Sequence, residues 1–123
     1  MLIIIDSQNL LEYNIGSINN ILTEGKMEVT QKRDDNILIV KIKGRVDTNT
    51  APELMPQLDL KDVKELIFDM SEVDYVFSAG LRAFLQAQKM MNLKQGKMKL
   101  IHVDPSVKSI FEMVGFADIM DID

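Results

Sequence analysis

The chain contains no cysteine, no tryptophan and a single histidine, His102. Without thiols there is no disulfide framework, no thiolate zinc site and no cysteine nucleophile, and one imidazole leaves most metal and acid–base chemistries without their usual residues. Basic residues are also in deficit, because 14 Lys and Arg stand against 19 Asp and Glu for a net charge of -5. Attraction to the phosphate backbone supplies most nucleic-acid affinity, so direct binding to DNA or RNA is not expected. The apolar run Leu2-Ile3-Ile4-Ile5 is closed by Asp6 and follows no cationic stretch, which falls far short of a signal peptide or a membrane span. A cytoplasmic protein without membrane insertion is expected. The six glycines are isolated, so no glycine-rich phosphate loop is present and no cofactor is expected.

What is there suits one globular domain. The chain has 123 residues, 46% of them hydrophobic and 27% charged, enough for a single core and too few for two. Residues 1–26 stand apart as an N-terminal extension rich in Ile, Leu and Asn. Leu11, Ile15, Ile18 and Leu22 recur at helical spacing between a capping Ser7 and a terminating Gly25, which describes an amphipathic docking or dimerisation helix that could support a homodimer. The competing reading is a start assigned too early, since Thr23-Glu24-Gly25-Lys26 before Met27 is what a purine-rich ribosome-binding stretch would give when translated.

From Met27 the pattern turns to strands. Met27, Val29 and Gln31 alternate with Glu28, Thr30 and Lys32, a turn at Arg33 to Asn36 follows, and Ile37 to Ile42 form a second strand. Thr50 and Glu53 have capping-box spacing for a short first helix, which Pro56 should shorten or kink. Leu66-Ile67-Phe68 reads as a central strand covered on both faces and ending at Asp69-Met70-Ser71. A longer helix spans Leu81 to Leu93, with Leu81, Phe84, Leu85 and Met91 inside and Gly96 as its stop. Met98 to Val103 is a strand, Ser106 to Val114 a helix capped by Gly115, and Ile119 to Ile122 a last extended piece. Strands alternating with helices after a hairpin give an α/β fold, a mixed β-sheet with helices packed against it. The nine methionines read as soft core filler.

The informative segment joins the central strand to the long helix, from Asp69 to Arg82. Ser78 falls at the expected N-cap, where the helix dipole and free N–H groups favour a negative charge, and Gly80 would keep the approach to that turn open. A phosphate on Ser78 would carry about -1.5 to -2 charge and face those N–H groups. The plain alternative is that Ser78 only caps a helix. A nucleophile elbow is a second alternative, because Ser78-Ala79-Gly80 matches the last three places of G-x-S-x-G and His102 precedes Asp104; Val76 at the first Gly place argues against it. The acidic residues Asp59, Asp62, Glu65, Asp69, Glu72 and Asp74 lack the alternating ligands and glycine of a calcium loop and read as a solvated surface with no metal.

Three stretches resemble the STAS domain family, named for sulfate transporters and anti-sigma factor antagonists, and in particular its single-domain bacterial anti-anti-sigma factors. They are Gly44 to Ala51, Asp69-Met70-Ser71 with Val73 and Ser78 to Arg82, and Val103-Asp104-Pro105 to Phe111 with Gly115-Phe116. They assign a STAS-like domain to residues 27–123. The resemblance implies a partner switch. The unphosphorylated domain binds an anti-sigma factor serine kinase, phosphorylation of the serine matched by Ser78 releases it, and a metal-dependent Ser/Thr phosphatase resets the system. The partner-facing residues would be Asp47, Thr48, Asp69, Ser71, Phe77, Ala79, Gly80, Leu81 and Arg82, and the protein would not be an enzyme. The alternative within the family is a non-switching STAS module of a lipid-transport complex or signalling scaffold. The chain departs from the pattern in four places: Phe77 stands where a small or acidic residue is usual, Pro56 shortens the first helix region, many relatives add a helix beyond the position of Asp123, and residues 1–26 have no counterpart.

Overall fold

A computed structural model describes residues 27–123, and the expected helix within 1–26 lies outside them. Strand β1 (Glu28–Asp34) turns at Asp35 and Asn36 into β2 (Ile37–Val46). Two 3-10 turns (Ala51–Glu53 and Met55–Gln57) lead to β3 (Glu65–Val76), which is followed by helix α1 (Ser78–Leu93), β4 (Lys97–Ile101), helix α2 (Pro105–Met113), a 3-10 turn (Phe116–Asp118) and β5 (Asp121–Ile122). The five strands lie in sequential order β1-β2-β3-β4-β5. β1 and β2 are antiparallel, while β2, β3, β4 and β5 run parallel. The mixed sheet expected from the alternation is therefore present.

One face of the sheet carries the core. Leu38, Val40 and Ile42 of β2, Leu66, Phe68 and Met70 of β3, and Met98 and Leu100 of β4 are buried. Phe68 meets Phe84 of α1 edge-on at 5.1 Å between centroids, and Phe84 meets Phe111 of α2 at 5.7 Å. Each such pair adds about 0.5–1.5 kcal/mol beyond its buried area, so this chain of rings ties both helices to the central strand. Met70, Met91, Met98 and Met120 fill the same core, but Met90 and Met113 are exposed.

Four expectations need correction. The first helix is not a helix: Pro52 and Pro56 each sit in the first turn of a separate 3-10 piece, joined at Leu54, because neither ring supplies an N–H to carry an α-helix through. Thr50 does not cap it either. β3 is not covered on both faces, since Ile67 and Asp69 on its second face are only half-buried. Gly96 does not supply the left-handed stop of α1; Gln95 does, at φ 58. Gly96 has another use, since a Cβ there would lie 2.8 Å from the Lys64 carbonyl oxygen.

β3 also continues well past Ser71, and the reason is register. Pairing with β2 slips twice, between Lys41 and Lys43 and between Gly44 and Arg45, as expected where extra residues bulge from one strand. Simple alternation from Met70 would send Glu72 and Asp74 into the core. The two slips instead bury Val73 and Val76 and leave Glu72, Asp74 and Tyr75 outside. The strand thus reaches five residues beyond Ser71, carrying its end to the start of α1.

The candidate partner-switch site

The site is built where β2 and β3 end together. Val46 and Val76 are partners in register, and the Phe77 N–H donates to the Val46 carbonyl oxygen at 2.8 Å. Phe77, not Ser78, is the N-cap of α1, with extended backbone and no capping hydrogen bond from its side chain. This overturns the expected position of Ser78, which is the first helical residue. The first bond of the helix runs from the Leu81 N–H to the Phe77 carbonyl oxygen, so the N–H groups of Ser78, Ala79 and Gly80 have no acceptor within the helix. Ser78 itself is exposed.

Gly80 acts from the opposite side to the one expected. It is buried, and a Cβ there would lie 2.6 Å from the Val46 carbonyl oxygen and 2.9 Å from Val76 Cγ1. The missing side chain lets the helix start rest directly on the strand ends; it does not open the solvent side. Leu81 is likewise a core residue, so neither Gly80 nor Leu81 offers a side chain to a partner. Ala79 is half-buried, Arg82 is exposed, and both line a groove of about 380 Å³ with Ala51, Pro52, Ala83 and Gln86.

Beyond Val46 the chain turns on Asp47. Its Oδ1 accepts from the N–H groups of Asn49 at 2.9 Å and Thr50 at 3.0 Å, an arrangement in which a short side chain mimics a backbone turn. The Thr50 N–H, more than any other group, holds the Asp47 carboxyl below the usual carboxylate range. The Thr50 side chain is buried; its hydroxyl accepts from the Asp47 N–H at 2.9 Å and donates to the Arg45 carbonyl at 2.8 Å. Thr48 stays exposed at the crest of this turn. Asp47, Thr48, Phe77, Ser78, Ala79 and Arg82 thus gather around the end of the β2–β3 pair.

Asp69 and Ser71 do not join them. Asp69 lies seven positions before Val76, the end of β3, or roughly 23 Å of extended strand short of the start of α1. Asp69 lies where β4 ends, in register with Ile101, and its Oδ1 accepts from the Ser71 N–H at 3.0 Å and lies 3.2 Å from His102 Nδ1. Burial pushes the Asp69 carboxyl up, but hydrogen bonds from Ser71 and His102 outweigh it and hold it below the usual range. The triad drawn from His102 and Asp104 also fails, since His102 turns to Asp69 while Asp104 accepts from the Ser106 N–H at 3.1 Å.

Sequence reasoning passed over Tyr75. Its ring lies 4.5 Å from that of Phe77, inclined at 64°, and both residues are 44% exposed. The i, i+2 spacing at a strand end was the available signal, obscured by the slip in register just before it.

The order of strands, the serine in the first turn of the helix after β3 and the hydrogen-bonded aspartate after β2 together match a known pattern. The STAS domain family model matches residues 28–123. This chain belongs to that family. The STAS chain is 32% identical over 95 residues to the anti-sigma-B factor antagonist of Listeria monocytogenes, an alignment covering 75% of this chain and 83% of that one. Among solved structures it resembles the anti-sigma factor antagonist SpoIIAA in its unphosphorylated form, with a TM-score of 0.68, 14% identity and coverage of 78% and 88%. It also resembles the Bacillus cell fate determinant SpoIIAA in its phosphorylated form, with a TM-score of 0.62, 13% identity and coverage of 78% and 91%. At these identities the structural likeness speaks for the fold. Among the described residues no helix of this STAS chain is long and apolar enough to cross a membrane.

Proposed function

We propose that this chain is a non-enzymatic, cytoplasmic anti-sigma factor antagonist that works by partner switching. The unphosphorylated form binds an anti-sigma factor serine kinase and frees the sigma factor; phosphate transfer from ATP bound by the kinase to the Ser78 hydroxyl releases it; a metal-dependent Ser/Thr phosphatase restores the free serine. The observation that carries this reading is the placement of Ser78, exposed in the first turn of α1 with three N–H groups there lacking intrahelical acceptors. Relatives described as anti-sigma factor antagonists, matched over most of their length, support the partner class.

The physics of release follows from the site. A phosphate at the helix start is favoured by the dipole and the free N–H groups, so the free protein accepts it without refolding. In a desolvated interface the same dianion, close to the Asp47 turn, adds like-charge repulsion and a desolvation cost, and a few kcal/mol there weakens binding by orders of magnitude. The test combines peptide mass spectrometry of the protein isolated from its native cell with binding to the purified kinase. Phosphate on Ser78 and loss of binding on phosphorylation are expected. Unmodified Ser78 under several growth conditions, with a transporter or scaffold bound in place of a kinase, would overturn the reading in favour of a fixed STAS module.

A further inference from the structure

We infer that Phe77, braced by Tyr75, is the aromatic anchor by which this domain selects its kinase partner, seating in an apolar pocket of that partner. The inference rests on the partner-switch reading and adds the residue that confers partner choice. Two observations carry it. Phe77 occupies the N-cap of α1 without a capping hydrogen bond, at a position where Ser, Thr, Asp and Asn stabilise a helix and an aromatic does not. Phe77 is 44% exposed and does not belong to the residues that form the core or pack against it. A residue that serves neither helix nor core, next to the modified serine, breaks the local rule in the way functional positions do.

The second observation is that the ring is pre-set. Tyr75 packs against it edge-on at 4.5 Å, and the register slip that precedes Tyr75 turns that side chain outward as well. A braced aromatic loses little freedom on binding, which is why such residues dominate the energetics of protein interfaces. The charges around the pair are of both signs, since Arg45 is Tyr75's partner in register and is exposed, as are Asp74 and Arg82, so the rings and not a net charge carry the contact. Ser78 is the next residue along the chain, so a phosphate on it would have to be desolvated together with the seated ring. Anchor and switch are thereby coupled without any movement of the backbone.

The experiment measures binding of the full chain to the purified anti-sigma factor kinase of the source organism, alongside thermal unfolding, for wild type, Phe77→Ser, Phe77→Leu and Ser78→Glu. Phe77→Ser should weaken binding by about 10-fold to 100-fold while the unfolding midpoint stays at or above that of wild type, because a capping hydroxyl replaces a ring the fold does not need. Phe77→Leu, which keeps an apolar side chain, should bind more tightly than Phe77→Ser. Binding of Phe77→Ser within about threefold of wild type, or a midpoint below wild type, overturns the anchor; in that case loss of binding by Ser78→Glu would leave the partner switch standing. Unchanged binding by Ser78→Glu overturns the switch, and the inference falls with it.

Discussion

The two helices of this domain begin in opposite ways. Helix α2 starts by the usual rules: the Asp104 side chain accepts from the Ser106 N–H and hydroxyl, and Pro105 occupies the first turn, where its missing N–H costs nothing. Helix α1 starts with an uncapped phenylalanine. Both follow parallel strands and both pack on the same buried face, so the difference is not one of fold position. What replaces the cap on α1 is support from below, where Val46 accepts the Phe77 N–H and Gly80 lets the first turn rest on Val46 and Val76. A helix start fixed by packing underneath keeps its solvent side free for a partner and a phosphate.

The largest effect that separates the two ends is on binding. Ser78→Glu should weaken kinase binding by about 100-fold or more without lowering stability, because a carboxylate in the first turn suits the dipole. Isothermal calorimetry and thermal unfolding check the two halves of that expectation. A charge added on the exposed side of α2, as Ser109→Glu in the middle of that helix, should leave binding unchanged. Next comes support from below. Gly80→Ala favours helix by about 1 kcal/mol by propensity, yet its Cβ would meet the Val46 carbonyl at 2.6 Å. Overpacking of that kind costs typically about 1–3 kcal/mol. A net loss in urea unfolding would show that the clash outweighs the propensity.

Legibility in the sequence followed the same division. The mixed sheet, the hairpin, the long helix and the helix from Ser106 to Val114 were readable because their residues obey period and capping rules locally. Ser78 was singled out by resemblance to the family's serine before Ala-Gly-Leu, whereas the capping rule alone misplaced it by one residue, since Phe77 is the N-cap. What was not readable depends on partners distant in sequence. The two slips that carry β3 to Val76 exist only in pairing with β2, and the inward role of Gly80 exists only against Val46. Thr50 and Glu53 look like a capping box, but Thr50 is claimed by Arg45 and Asp47, contacts that a spacing rule does not contain.

The Thr50 contacts give a smaller test of how far the underside of the site supports its surface. Thr50→Val keeps the shape and removes the hydroxyl, leaving the Asp47 N–H and the Arg45 carbonyl without that partner. A loss of about 1–3 kcal/mol is expected for unsatisfied buried groups. Binding should weaken as well, because the Asp47 turn and the Pro52 side of the groove rest on that hydroxyl. A stability loss with unchanged binding would separate the turn from the partner surface.

The smallest effect belongs to the conventional helix start and sharpens the contrast through pH. The Ser106 hydroxyl and N–H hold the Asp104 carboxyl below its usual range. A carboxyl whose pKa is lower in the folded chain contributes stability that is fully present above the unfolded value and is lost as pH falls through the folded one. Asp104→Asn keeps a capping oxygen and removes the charge, so it should cost little at neutral pH and remove part of the acid dependence of unfolding. Asp104→Ala should lower the midpoint more at neutral pH, since the Ser106 N–H then loses its cap. Neither should change partner binding, because α2 offers its capped end to solvent and not to the site. If Asp104→Asn also weakened binding, the two helix starts would share the partner surface, and the division between a capped end for stability and an uncapped end for recognition would fail.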